Sequence, residues 1–353
     1  MFRPRNRVLG VHAAISAGIE EDIRELVTTG EVMHQVASLR GDNHVRAFVH
    51  ALGVPGIVDV HVHFMPDSVQ RKVWAVFDQL TNPPWPIVYR AGAGERLATL
   101  RSVGVVSHTA LAYAHRPGMA AWLNEHTLAL AAEHAQVLPT FTFYPEDGVD
   151  DYVSHALESG GSCAKVHLQV GKFDANDARL DAVWARLARA RVPIILHAGA
   201  VADGSGGEEW CGVRPVARLL ERFPDLPLVI AHLGTPDTED FLALAETSPT
   251  VHFDTAMVPT DPPYLTDLPA RLLGRIEALG DRILFGSDFP TIPHDYAAQV
   301  RGLVRLDFGD DWLRAALWHN PRRLLSLDSA DRSAVKDAAP LGQQGPAQNE
   351  RLA

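Results

Sequence analysis

From residue 57 onward the chain repeats one pattern. A short apolar run, rich in β-branched residues, ends in a polar residue or a Gly/Pro loop, and a longer helix-like segment follows. The runs predict strands over Ile57–His63, Val103–Ala110, Val137–Phe143, Ala164–Leu168, Pro193–His197, Leu228–His232, Val251–Asp254 and Ile283–Asp288. Helices are predicted between them over Asp67–Leu80, Met119–His134, Val149–Ser159, Ala178–Arg191, Val213–Phe223, Asp237–Thr247 and Leu268–Leu279, with Tyr296–Arg305 after the last strand. Alternating strands and helices imply a parallel sheet, and near-continuous apolar strands imply burial on both faces. Eight such units are what a closed α/β (β/α)8 TIM barrel requires. A doubly wound open sheet is the alternative, but no GxGxxG or GxxxxGK[ST] follows any strand, so its nucleotide-binding versions have no support.

The barrel is expected to span residues 55–327. Residues 1–54 read as a short N-terminal helical extension, with amphipathic stretches at Ile19–Val27 and Val45–Leu52, closed by Val54-Pro55-Gly56. Residues 328–353 are polar, rich in Gln, Pro, Gly and charge, and lack periodicity, which predicts a disordered tail. The longest connections follow the first, fifth and seventh strands. In a barrel these loops share the face where the strands end, which is where function sits.

Composition narrows the function classes. The 353 residues carry a formal charge of −11, so the chain lacks the electrostatic footprint for nucleic acid or an anionic membrane surface. A local basic pocket for a small anion remains compatible with that balance. Cys163 and Cys211 lie far apart and form no CxxC pair, which fits a reducing compartment. No apolar run reaches the roughly 18 residues of a membrane span. Arg3, Arg5 and Arg7 precede a mildly apolar stretch, but His12 and Ser16 interrupt it and Glu20, Glu21 and Asp22 follow, so a signal peptide is not expected. The expected location is cytoplasmic.

The chemistry gathers at the strand ends. In Val58-Asp59-Val60-His61-Val62-His63 the two imidazoles are two residues apart, share a face of the strand and can reach one metal ion. The fifth strand ends in His197, the sixth in His232 and the eighth in Asp288. If the strands close into a barrel, these side chains converge on one rim, where burying them is costly unless they bind something or do chemistry. Three His and one Asp suit a divalent first-row ion with an open position for water.

The ordered set resembles the amidohydrolase superfamily, in its amidohydrolase-related branch that includes aminocarboxymuconate-semialdehyde decarboxylase. The resemblance rests on Asp59-Val60-His61-Val62-His63, the His197 strand end, Ile230-Ala231-His232-Leu233-Gly234, Leu284-Phe285-Gly286-Ser287-Asp288-Phe289-Pro290 and the closing Asn320-Pro321-Arg322-Arg323-Leu324, and covers roughly residues 56–327. It implies that His61, His63, His197 and Asp288 bind one divalent metal ion. Zinc is the first choice, with manganese or iron(II) as alternatives and no second ion expected. It also implies that His232 stands beside the ion as a catalytic or substrate-polarising residue. Binuclear members bridge two metals with a carbamylated lysine from the fourth strand, and Lys165 occupies that strand. The alternative for Lys165 is an ordinary lysine that pairs with a carboxylate or binds a substrate.

Other candidates are weaker. His167 shares a face with Lys165 and is a substrate contact at most. Asp254 ends the seventh strand and can orient a ligand or cap the next turn. Asp59 is expected to make supporting or backbone hydrogen bonds. Arg90, Tyr89 and Arg214 lie in or near rim loops and could clamp a substrate carboxylate. Trp210, in the Gly-rich loop Gly204–Gly212, could close over a ligand. Both cysteines are expected to be inert.

These residues predict a metal-dependent hydrolase acting on a small amide, ester or lactone, and a carboxylated substrate is compatible with the rim arginines. A metal-activated water would attack, Asp288 would take its proton, and His232 would stabilise the oxyanion. Non-oxidative decarboxylation of a small aromatic or dienoic acid is the rival, because the same metal shell serves both. A non-catalytic ligand-binding barrel is a third reading. A homodimer is compatible with the sequence, and nothing in it names the substrate.

Overall fold

The computed structural model describes residues 39–81, 84–200 and 206–327. The predicted helix Ile19–Val27, the tail 328–353 and part of the loop after the fifth strand lie outside the described residues. Eight strands follow in order: β1 Ile57–Asp59, β2 Val105–His108, β3 Thr140–Thr142, β4 Cys163–His167, β5 Ile194–His197, β6 Leu228–Ile230, β7 Val251–Asp254 and β8 Ile283–Leu284. All ladders are parallel: β1 pairs with β2, and β3 through β8 pair in sequence order.

Two seams close the ring. A parallel bridge between His108 and Val137 joins β2 to β3. Residues beyond β8 pair with those beyond β1, through a Val62–Phe289 bridge and hydrogen bonds from Val60 N to Phe285 O (3.0 Å) and from Asp288 N to His61 O (2.8 Å). The molecule is therefore a (β/α)8 barrel, as the periodicity predicts. Its interior is packed by Val58, Val60, Cys163, Ile195, Val229 and Leu284, with Leu325 beneath them. The larger apolar cluster lies between the strands and the outer helices.

The elements depart from expectation in three places. Several strands are shorter than their apolar runs, because the chain beyond β1, β6 and β8 leaves the regular ladder while still entering the rim. A helix over Ala93–Ser102 was not expected; its buried face holds only Leu97, Leu100 and the buried Arg96, too weak a periodic signal to read. The extension helix, Asp42–Ala51, buries Val45, Phe48 and Val49 in the main core. Its Asp42 carboxylate accepts the Ala297 backbone N–H at 3.0 Å, tying it to the helix Tyr296–Arg305. Among the described residues no helix is long and apolar enough to cross a membrane.

Candidate functional site

Strand phase explains how Lys165, His167, His197 and Asp288 reach the rim, whereas His61 and His63 are out of phase with the interior Val58 and Val60, in a strand whose register is irregular. In β4, β5 and β8, the interior residues Cys163, Ile195 and Leu284 share the parity of Lys165 and His167, of His197, and of Asp288. His232 is one residue out of phase with Val229. The chain there turns left-handed (φ 56°), which lets the imidazole reach the mouth. Asp288 also sits on left-handed backbone (φ 65°), directly after the Gly286-Ser287 segment. Gly286 is required for close approach: a Cβ there would lie 2.7 Å from that of His61.

The result is a closed circuit of six rings. Centroids run His63–His61 5.1 Å, His61–His232 4.9 Å, His232–His197 4.9 Å, His197–His167 3.8 Å, His167–Tyr113 5.1 Å and Tyr113–His63 5.7 Å. The His167–His197 stack follows from the β4–β5 register, which pairs these two residues directly. Asp288 and Lys165 reach into the same group. Asp288 Oδ1 lies 3.1 Å from His63 Nε2 and 3.5 Å from His61 Nε2, and Lys165 Nζ lies 3.2 Å from His61 Nε2.

Hydrogen bonds at the far nitrogens orient three of the imidazoles. His61 Nδ1 meets Asp254 Oδ2 at 2.8 Å, His63 Nδ1 meets the Leu111 carbonyl at 3.1 Å, and His232 Nδ1 meets the Ala256 carbonyl at 2.8 Å. Each partner is an acceptor, so each neutral ring carries its proton on Nδ1 and leaves Nε2 unprotonated; that of His61 accepts from Lys165 Nζ at 3.2 Å. Asp254 is itself held by the backbone N–H groups of His232 and Ala256, each at 3.0 Å. Asp59 accepts from the backbone of His61 and Ser287, each at 3.1 Å, and from the Tyr296 hydroxyl at 2.8 Å. It thereby clamps the strand bearing the His pair to the one bearing Asp288.

Burial dominates the electrostatics. It pushes Lys165 down to about 8 against the pull of Asp254 and Asp288. It pushes His61 down to about 4, helped by the Lys165 charge and opposed by Asp254. Burial would raise Asp254, but the hydrogen bond and electrostatic pull of His61, with His232 and Lys165 nearby, outweigh it and bring the carboxyl to about 2. Asp288 is likewise held well below the usual carboxylate range, by His63, His61 and His232 against burial. Asp59 goes the other way: burial outweighs its hydrogen bonds and lifts it to about 7.

These residues suit a divalent ion. His61, His63 and Asp288 bring three ligand atoms within 4.8 Å of one another, and His61, His232 and Asp254 form a second such group. His197 stands in the ring but in neither group, and its Nε2 is buried with no partner, an atom that an ion would satisfy. The donors are imidazole nitrogens with oriented lone pairs and a carboxylate held ionised, the forms in which both bind metals.

The remaining candidates fall elsewhere. Arg90 is exposed and paired with Asp78. Tyr89 donates to Asp42 and accepts from the Tyr296 backbone, so it is structural. Arg214 and Trp210 line a cleft of 640 Å³ with Asp174, Cys211, Arg218 and Glu221, which contains no member of the imidazole ring. The chemistry lies instead in the barrel mouth. Tyr113 was not singled out from the sequence. Its only signal was its place three residues beyond the second predicted strand, on the loop face.

The amidohydrolase family profile matches residues 58–327. The chain belongs to the amidohydrolase family. The match opens at the first barrel strand and closes at Leu327, so it spans every residue of the imidazole ring. No curated protein sequence matches the chain. Among solved structures, an uncharacterised TIM-barrel protein from Bordetella bronchiseptica superposes with TM-score 0.62 at 18% identity, covering 76% of this chain and 98% of that one. A 5-carboxyvanillate decarboxylase from Sphingomonas paucimobilis gives 0.56 at 16% identity, over 77% and 99%. A protein assigned as a 2-pyrone-4,6-dicarboxylic acid hydrolase from Pseudomonas putida gives 0.54 at 17% identity, over 78% and 99%. At these identities the likeness concerns the amidohydrolase fold, and the neighbours include both a hydrolase and a decarboxylase.

Proposed function

We propose that this amidohydrolase is a metal-dependent hydrolase that cleaves a C–N or C–O bond in a small amide, ester or lactone. The observation that carries the reading is the meeting of two unprotonated imidazole nitrogens, His61 Nε2 and His63 Nε2, with the ionised Asp288 carboxylate. His61, His63 and Asp288 would hold the ion, zinc being the best match to this donor set, with His197 supplying the orphaned fourth nitrogen. When bound, the ion supplies Lewis acidity and makes a nearby water more acidic.

The chain's own groups do the rest. Asp288 takes the proton of the attacking water. The strands' rigid rim holds that carboxylate against the His pair, through the Asp288 N–H to His61 carbonyl bond. His232 offers only a lone pair on Nε2 while neutral, because its N–H is committed to Ala256. It therefore accepts a proton first and serves a developing oxyanion, or the leaving group, as an imidazolium. Lys165 keeps a buried cation beside the ring, which favours an electron-rich substrate.

That same lysine favours a second reading, decarboxylation, in which it would neutralise a substrate carboxylate before CO2 leaves. The test is a paired screen of zinc-loaded protein. One arm follows hydrolysis of small amides, esters and lactones; the other follows CO2 release from aromatic and dienoic acids. The hydrolase reading expects turnover in the first arm that chelator removes and that Asp288→Asn abolishes while the fold and most of the metal remain. Metal-dependent turnover confined to the second arm, or an Asp288→Asn protein of undiminished activity, would refute it.

A further inference from the structure

The imidazoles around the mouth are not equivalent. His61, His63 and His232 each donate through Nδ1 to an oxygen, so each presents an unprotonated Nε2. His167 is reversed. Its Nδ1 accepts the backbone N–H of Val170 at 3.3 Å, at the start of the helical turn Leu168–Gly171. A nitrogen that accepts a hydrogen bond carries no proton, so the His167 proton sits on Nε2. That N–H has no hydrogen-bond partner among the described residues, and the His167 side chain is only partly buried. The Tyr113 hydroxyl, whose ring lies 5.1 Å from that of His167, likewise has no partner among the described residues, and Tyr113 too is only partly buried.

The ring therefore has two chemically distinct sides. Around His61, His63, His232 and Asp288 it offers lone pairs, which suit a cation or a proton. Around His167 and Tyr113 it offers hydrogen-bond donors that no described residue uses. His167 is fixed in place by its stack on His197 and by the turn that receives its Nδ1. A fixed donor costs little further ordering when it meets a ligand. Tyr113 touches both sides, 5.7 Å from His63.

We propose that His167 Nε2–H and the Tyr113 hydroxyl form a donor subsite that binds an sp2 oxygen of the substrate, carbonyl or carboxylate, across the ring from His61. The proposal deepens the hydrolase reading and rests on it for the word substrate. Two donors converging on one oxygen group would also fix which way the substrate faces Asp288. Neither residue exchanges a proton in this role, so both are binding and positioning residues.

The test uses zinc-loaded, full-length protein labelled with [15N]histidine, with His167 assigned by its disappearance in His167→Gln. The His167 ring is expected to carry its proton on Nε2, and those of His61, His63 and His232 on Nδ1. Benzoate or benzamide, added to saturation, is expected to shift the His167 Nε2–H resonance; which of the two acts separates a carboxylate site from a carbonyl site. Tyr113→Phe, which removes only the hydroxyl, is expected to weaken that probe about tenfold, the loss of one hydrogen bond. A His167 proton on Nδ1, or a resonance that neither probe moves, would overturn the proposal. Unaltered probe affinity in Tyr113→Phe would remove the tyrosine from the subsite and overturn it as a pair. Absent metal-dependent turnover with these results intact would instead defeat the hydrolase reading and leave the subsite standing.

Discussion

Replacing Asp254 by Asn should switch off the metal centre from behind. Asp254 is fully buried and makes three contacts: Oδ2 accepts from His61 Nδ1 at 2.8 Å, and Oδ1 accepts from the backbone N–H groups of His232 and Ala256 at 3.0 Å each. An asparagine has the same shape but one acceptor oxygen. Two backbone donors cannot move, so the amide oxygen faces them and the NH2 faces His61. His61 must then accept through Nδ1 and place its proton on Nε2, which removes the lone pair aimed at Asp288. Loss of such a supporting carboxylate typically costs 10- to 100-fold in metal affinity, about 1.4–2.7 kcal/mol. The fold should survive, because the two backbone hydrogen bonds persist and the third reverses; exchanging a charge-assisted bond for a neutral one costs about 1 kcal/mol. Competition against a chelator gives the zinc affinity, and urea unfolding of the apo protein gives the stability. Wild-type zinc affinity in a folded Asp254→Asn protein would refute the claim that Asp254 sets the His61 tautomer.

Three further outcomes follow from the same geometry. Gly286→Ala places a methyl against His61, Asp254 and Ala256, so zinc affinity should fall about tenfold or more while secondary structure by circular dichroism is retained; unchanged affinity would mean that the strand relaxes away from His61. Asp59 binds its proton more tightly folded (about 7) than unfolded (3.8), so between about pH 4 and 7 the folded state holds more protons and this group's contribution to stability falls as pH rises. In chelator-treated protein, Asp59→Asn should therefore gain on wild type steadily from pH 4 to pH 8 in urea midpoints, and a difference independent of pH would contradict the raised pKa. Arg214→Ala, in the cleft outside the ring, should leave zinc affinity and turnover within about twofold of wild type; a loss of tenfold would place that cleft on the substrate's path.

The barrel was legible because its signal is repeated. Eight apolar runs at regular spacing do not arise from helices or sandwiches, and β4, β5 and β7 fall within a residue or so of their runs. The convergence of His61, His63, His197, His232 and Asp288 was expected from that closure, since each lies at or near the end of a predicted strand. What stayed hidden depends on local backbone and on partners distant in the chain. Nothing in Ile230-Ala231-His232 announces the left-handed turn that compensates its phase. Asp254 read as a cap or ligand because its role exists only against His61, 193 positions away. Arg214 and Trp210 read as a clamp and a lid because their loop emerges on the functional face, but the loop's direction across that face is a tertiary matter. The helix Ala93–Ser102 buries an arginine over the Phe64 ring at 4.8 Å, an aromatic contact that apolar periodicity cannot register.

The central claim is that a cation belongs between the first strand's histidine pair and the carboxylate after the last strand. Anomalous diffraction at the zinc edge, from crystals of the zinc-loaded protein, tests it most directly. The account predicts one peak in contact with His61, His63 and Asp288, lost in a His61→Ala/His63→Ala protein. A peak elsewhere on the molecule, or none at this site, would contradict it.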